Sequence, residues 1–398
     1  ADYDIVCRYQ GGNNAGHTVI NDHGKIVLNL LPSGISREGT VNVMGNGMVI
    51  DLEHLVHEIQ SLRDKGIHIG PDNLKISDKA VICLPWHKMQ DIMEEDRLKD
   101  KKFGSTRRGI GPVYADKYMK KAIRMGDLFA PDKLPEKVAD LTEWKNLTVR
   151  GYGHEPVKAE DILAWLHEFG DPIKPYITDV SDYLYDAATA GENIMFEAQL
   201  GALRDIEFGI YPYTSSSCTL AGYATIGAGI PGLKLDKTIG IMKAYSSCVG
   251  EGPFTVEMFG DEAEALRRAG GEYGAATGRP RRVGAFDIPA SRYGVRMHGA
   301  DCIALTKMDV LSYMDKIPVC VAYDINGEIT EKFPVGERLN AAKPVFEYME
   351  GFGDISGCRK PEDLPKAAMD YIRYLEAAVG CKIKYVSVGA GRDEYVEL

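Results

Sequence analysis

No two cysteines in this 398-residue chain are spaced as CxxC, no apolar run approaches the roughly 20 residues that span a bilayer, and positive charge is in deficit. Each absence excludes something. The eight cysteines (Cys7, Cys83, Cys218, Cys248, Cys302, Cys320, Cys358 and Cys381) are scattered widely, which reads as reduced, mostly buried thiols of a cytoplasmic protein. The missing apolar run, and an opening without the basic-then-apolar pattern of a signal peptide, predict a soluble protein with no membrane partner. Lys and Arg number 47 against 58 Asp and Glu, a formal net charge of -11, so a general nucleic-acid surface is not expected and any basic site is local. No repeat, low-complexity tract or Ser- or Pro-rich linker interrupts the chain. Residues 1–398 are therefore expected to form one domain with long functional excursions.

What is present reads as strands alternating with helices. Tyr3 to Tyr9 is a short β-rich run that empties into the polar loop Gln10 to His17, QGGNNAGH, and a hairpin follows from Thr18 to Leu30, turning at Asp22, His23 and Gly24. Leu52, Leu55, Val56, Ile59 and Leu62 recur at helical spacing, which predicts a helix over Asp51 to Lys65 with Asp51 as N-cap and Gly66 as its stop. Further helices are expected at Lys88 to Leu98, Ala159 to Glu168, Ser181 to Ala190 and Leu364 to Val379. Ile194 to Phe196, Thr238 to Lys243 and Cys302 to Thr306 read as buried parallel strands, with further strands at Ile317 to Tyr323 and Ile383 to Val388. The fold class is α/β, a large, mostly parallel sheet flanked by helices, with ligand loops beyond the carboxyl ends of the strands.

Five polar segments carry the chemistry. In GEYGAATGRPRRVGAFD, Gly271 to Asp287, the forks of Arg279, Arg281 and Arg282 lie between Gly274, Gly278 and Gly284, as in a hinged loop that closes on a carboxylate or phosphate. A solvated basic turn is the plainer reading. Gln10 to His17 brings Asn13, Asn14 and an imidazole between glycines, and GSTRRGIGP, Gly104 to Pro112, offers hydroxyls and two arginines at a loop-to-helix junction suited to an anion. Tyr213 precedes four consecutive hydroxyl residues, Thr214 to Ser217, which either bind a ligand or cap a helix. In TKMD, Thr306 to Asp309, the aspartate can accept from both N1 and the exocyclic amine of guanine while the lysine stem covers the ring; a surface ion pair is the alternative.

Together these segments resemble the adenylosuccinate synthetase family. The matching stretches run in order along nearly the whole chain: YQGGNNAGHT, PSGI, GNG at Gly45 to Gly47, TRRGIGP, GDLF at Gly126 to Phe129, FEAQLGALRDIEFGIYPYTSSS, KAYSSCVGEGPF, YGAATGRPRRVGAFD and LTKMDVL. The resemblance implies a P-loop-like synthetase fold and GTP-driven joining of L-aspartate to inosine monophosphate (IMP), giving adenylosuccinate, GDP and phosphate, with Mg²⁺ and as a homodimer. By that resemblance His17 stabilises charge between the purine 6-oxygen and the transferring phosphoryl group, and the Gly16 carbonyl faces Mg²⁺. Asn14, Thr106, Lys120, Gln199, Leu200, Ser215 and Arg279 fall at positions that hold the nucleotide substrate. Thr277, Arg279 and Arg281 fall where the family grips aspartate, and Lys307, Asp309, Ser387 and Gly389 where it binds GTP.

Departures from the family pattern are visible too. The resemblance places a strand and a Gly-rich phosphate loop carrying the aspartate base and a lysine ahead of Ala1. An incomplete sequence is therefore expected, nearly inactive as written because the base and the phosphate cradle are missing. A core strand would also be missing, leaving an open edge in the sheet. Leu200 stands where the family has a glutamine, with Gln199 displaced by one; Lys120 replaces an arginine that reaches a neighbouring subunit's nucleotide; Cys248 and Ala276 replace an arginine and a threonine. A variant ligase acting on a guanylate-type nucleotide and a non-catalytic nucleotide-binding descendant are the alternative readings.

Overall fold

In the computed structural model, which describes residues 3–21, 23–274, 278 and 280–398, the chain divides into two compact units. The first comprises Ala1–Glu207 with Thr214–Lys234, the second Phe208–Tyr213 with Leu235–Leu398. The expected hairpin turn at Asp22, and the assignments to Ala276, Thr277 and Arg279, lie outside the described residues.

The first unit is built on a five-stranded parallel sheet in the order Ile177–Thr178, Leu74–Ser77, Val41–Met44, Ile5–Arg8, Ile194–Glu197. All four residues of Ile5–Arg8 are buried, as expected of a strand paired on both sides and covered on both faces. Ile194–Glu197 was expected to be buried as well. It is half-buried instead, because it pairs only with Ile5–Arg8 and so forms an edge.

Helix Leu52–Arg63 forms where the 3.6-residue spacing puts it: Leu52, Leu55, Ile59 and Leu62 are buried, and the Asp51 carboxylate caps the N-terminus by accepting from the His54 amide at 3.3 Å. It packs with Leu74, Ile76, Leu141, Ile162 and Leu166 into one core. Each such buried aliphatic side chain contributes about 1.5–3 kcal/mol.

The second unit has a sheet ordered Ile239–Lys243, Cys302–Thr306, Ile383–Ser387, Tyr395–Glu397, parallel except for its last strand. Ile239–Lys243 was also expected to be buried. As an edge strand it leaves Ile239 and Ile241 exposed, the latter at 73%. Helix Lys366–Val379 lays Ala368, Tyr371, Ile372, Leu375 and Val379 against Ile303, Leu305 and Val386, and Gly380, in the left-handed region, ends it. Beside this core, the long strand Lys316–Ile325 pairs antiparallel with Ala342–Glu350 and parallel with Phe286–Asp287. Among the described residues, no helix is long and apolar enough to cross a membrane.

Candidate active site

The carboxyl ends of the two neighbouring strands Ile5–Arg8 and Ile194–Glu197 bring His17 and Glu197 together. His17 Nδ1 lies 2.7 Å from Glu197 Oε1, and the other Glu197 oxygen accepts from the Ser33 amide of the PSGI segment at 2.8 Å. Burial works against the Glu197 charge, but the His17 contact and then Arg8 outweigh it and hold its pKa below the usual carboxylate range. An ionised carboxylate only accepts, so the proton between the two sits on Nδ1. Glu197 had not been singled out in the sequence. Its position at the last residue of a strand, next to the Gln199 segment, was the available signal.

Arg8 is fully buried beneath this pair and donates to the Asn29 carbonyl and to the side-chain oxygen of Gln199. The Gln199 amide in turn donates to Asn14 Oδ1 at 2.7 Å, and Asn14 Oδ1 also accepts from the Gly12 amide at 3.1 Å. Asn29 Nδ2 ties the Ala15 carbonyl at 2.6 Å, and Asn13 donates to Asp51 at 2.9 Å. The loop 10–17 is therefore held in shape by hydrogen bonds at almost every turn.

Gly11 sits there at a φ of +75°, and a Cβ on it would lie 1.8 Å from Gln199 Nε2, so only glycine fits. Gln199 is thus buried and engaged in the scaffold, whereas Leu200, with a φ of +72° and an exposure of 49%, is the residue that reaches solvent. Gly16 is exposed. Among the described residues, no group of three or more His, Cys, Asp or Glu gathers as a metal site.

The hydroxyl run begins no helix. Ser215 Oγ lies 3.3 Å from Ser217 Oγ, which donates to Gln10 at 3.2 Å, so the run lines the floor of the same loop and the capping reading is set aside. Asp205, fully buried, fixes its far end by accepting from the Thr219 amide. GSTRRGIGP does form the junction expected of it, with Gly109 as N-cap of helix Ile110–Tyr118. Two buried carboxylates on helix Pro85–Leu98 pin it: Asp91 accepts from Ser105 Oγ at 2.6 Å and the Gly109 amide at 2.8 Å, and Glu95 accepts from the amides of Phe103 and Gly104. Thr106 is left exposed, as is Lys120, whose φ is +63°.

In the second unit the arginine segment is stapled at its base. Tyr273 bridges Pro280, and the Arg281 amide donates to the Glu272 carbonyl at 2.9 Å. Arg281 Nη1 reaches the Glu272 carboxylate at 2.8 Å, and its Nε is buried with no partner among the described residues. Arg282 is spoken for by two bonds to Glu257 and one to the Gly252 carbonyl, so it belongs to the framework and not to an anion grip. Gly284 is no hinge either. It lies in the strand Arg282–Gly284, where a Cβ would meet the Val256 carbonyl at 2.2 Å. Cys248 pairs with Arg282 across the antiparallel strands.

Lys307 and Asp309 do not form the surface ion pair. Lys307 Nζ donates to the Gly270 carbonyl at 2.5 Å, and Asp309 Oδ1 is buried without a partner among the described residues. Burial raises the Asp309 pKa, Lys307 opposing it. An orphaned acceptor next to a lysine stem is what a base with two adjacent donors would satisfy. Ser387 Oγ donates to the Gly389 carbonyl at 2.7 Å, and Gly389 packs against Glu394, which accepts from the Gly391 amide.

A parallel sheet with a histidine–carboxylate pair and polar glycine loops at its strand ends defines the class: an α/β enzyme. The family model described as adenylosuccinate synthetase matches residues 1–396. The chain is 44% identical to the adenylosuccinate synthetase of Caldanaerobacter subterraneus subsp. tengcongensis, covering 99% of this chain and 93% of that protein. It is 42% identical to that of Ligilactobacillus salivarius, over 98% and 91%. The solved structure of the fully ligated adenylosuccinate synthetase from Plasmodium falciparum superposes with a TM-score of 0.91 at 35% identity, covering 100% of this chain and 94% of that one. A cyanophage S-2L succinoaminodeoxyadenylate synthetase, at 17% identity and a TM-score of 0.59 over 99% and 87%, shares the fold alone. The chain belongs to the adenylosuccinate synthetase family and is a ligase of purine nucleotide biosynthesis.

Proposed function

We propose that this chain joins L-aspartate to IMP at the expense of GTP, and that the His17–Glu197 pair is the observation that carries this reading. Glu197 fixes the imidazole so that one ring nitrogen faces the transferring phosphoryl group, where it stabilises charge developing toward the purine 6-oxygen. The purine 6-oxygen attacks the γ-phosphorus as GDP leaves and the N1 proton passes to a base, and the aspartate amine then attacks the same purine carbon, releasing the 6-oxygen as phosphate and giving up its own proton. Asn14, Thr106 and Ser215 hold the IMP nucleotide. Gln199 acts on it through Asn14 and not by direct reach, and Leu200 presents an apolar edge where the family has an amide.

Thr277, Arg279 and Arg281 take the aspartate carboxylates, Arg279 also facing the nucleotide. The free Nε of Arg281 suits a carboxylate oxygen. Asp309 and Lys307 read guanine, with Ser387 and Gly389 beside the base. Lys120 serves the nucleotide of a neighbouring copy in a homodimer. The exposed carbonyl of Gly16 is a hard oxygen of the kind Mg²⁺ takes when it keeps most of its shell for phosphates and water, and the ion would there neutralise phosphate charge.

The test is an adenylosuccinate-formation assay with GTP, IMP, aspartate and Mg²⁺, run on the 398-residue chain and on the same chain preceded by the family's strand and Gly-rich loop. Product in either supports the reading. Bound nucleotide with no product in both would overturn it.

A further inference from the structure

Glu272 belongs to no ligand-holding set above, yet four side chains converge on it. It is fully buried, and its Oε1 accepts from Lys243 Nζ at 2.7 Å and from the Tyr245 hydroxyl at 2.5 Å. Its Oε2 accepts from Arg281 Nη1 at 2.8 Å, and Lys307 Nζ lies 3.9 Å from Oε1. The four partners come from three stretches far apart in sequence: the end of strand Ile239–Lys243 with the turn after it, the arginine segment, and the TKMD turn. Three cations around one point repel one another unless an anion lies between them. Lys243 registers this: burial lowers its pKa and Glu272 raises it, while Lys307 and Arg281 push it down again. Glu272 is the only carboxylate in contact with all three among the described residues.

We propose that Glu272 is a positioning residue that couples the arginine segment to the guanine-reading turn, so that affinities for aspartate and for the guanine nucleotide are set together. The proposal rests on the ligand assignments made above. Glu272 is assigned to neither ligand. It fixes where Arg281 and Lys307 stand, and with one side of the Arg281 fork held, its buried Nε keeps a donor that has no partner among the described residues.

Glu272→Gln keeps the shape and removes the charge that lets the three cations stand together, whereas Tyr245→Phe removes one bond without touching the charge. Equilibrium titrations of GDP, of IMP, and of L-aspartate with IMP present would be compared across both variants and the unaltered protein. Glu272→Gln is expected to weaken GDP and aspartate binding together, each on the order of 10-fold or more, and to leave IMP within about 2-fold. Tyr245→Phe should move the same two constants by about 2- to 5-fold.

A change in only one of the two, or an equal change in all three, overturns the coupling; the second pattern would mark Glu272 as a residue of general stability. If Glu272→Gln does not fold, Tyr245→Phe alone decides between these outcomes. Failure of the underlying assignment looks different. The unaltered protein would then bind no aspartate, or Arg281→Met would leave aspartate binding unchanged.

Discussion

In the first unit Glu197 is held by a histidine and a backbone amide, with the charge of buried Arg8 also favouring it, and most surrounding bonds run between neutral amides: Gln199 to Asn14, Asn29 to Ala15, Gln10 to Gln199. In the second unit Glu272 sits among cations and a phenol, and its pKa is held at about 2 because those partners outweigh the burial that opposes them. Neutral amide networks define a shape but carry little charge dependence. A cluster of like charges around one anion defines a potential, and it fails as a whole when the anion is neutralised. The loop 10–17 is thus a rigid cradle, and the arginine segment an electrostatic one.

The sharpest way to break this comparison is at the histidine of the first loop. His17→Ala should lower turnover on the order of 10²- to 10³-fold with little change in the KM for aspartate, since the residues proposed to bind aspartate lie elsewhere in the sequence. Glu197→Gln should cost about 10-fold and shift the pH dependence of kcat, because the amide can still orient the ring but no longer fixes which nitrogen carries the proton. Equal losses in the two variants would mean that the pair acts as one unit.

Rigidity is tested by glycine. Gly11→Ala forces a Cβ to within 1.8 Å of Gln199 at a left-handed φ and should lower stability by about 2–4 kcal/mol, seen as a fall in Tm. Gly39→Ala, at a similar φ of +74° but with open space around it, should cost only about 1 kcal/mol. If the two cost the same, the loop is softer than its hydrogen bonds imply.

The electrostatic side has a smaller handle in Asp309→Asn. Asp309 is proposed to take both guanine donors, and an amide can accept only one of them. GDP affinity should therefore drop about 10- to 100-fold in a direct titration, with IMP affinity unchanged.

Much of this arrangement was legible in the sequence, for identifiable reasons. Helix Leu52–Arg63 and its Asp51 cap followed from spacing alone, and the loops beyond Arg8, Thr306 and Glu197 followed from glycines and polar residues packed behind apolar runs. Helix Leu134–Gly151 was missed because its buried face carries Thr142, Lys145 and Asn146, which blur the apolar period; Lys145 is buried against Asp116 at 2.7 Å. The edge positions of Ile194–Glu197 and Ile239–Lys243 were illegible because an apolar run looks the same at an edge as at a centre until pairing is known. Arg281 and Arg282 read alike in sequence. Only Glu257 and Glu272, 25 and nine positions away, separate a framework arginine from one with a donor to spare.

A third buried carboxylate sharpens the contrast at the smallest scale. Asp287 caps helix Ile288–His298 by accepting from the Ala290 amide at 3.0 Å, and both its oxygens accept from the Tyr323 hydroxyl. These partners are neutral, so burial dominates and pushes its pKa up to about 6, the opposite of Glu272. The two signs differ accordingly. Glu272 contributes stability above its unfolded pKa of roughly 4.3 that is lost as pH falls toward 2. Asp287 favours the folded state while protonated, and that contribution disappears as pH rises from about 4 through about 6. Asp287→Asn keeps the helix cap and cannot ionise, so the variant should gain about 1–2 kcal/mol on the unaltered protein between pH 4 and pH 7, measured as urea midpoints across that range. Parallel curves for the two proteins would mean that Asp287 is charged throughout. In that case the nature of the partners, cationic or neutral, would not be what separates it from Glu272.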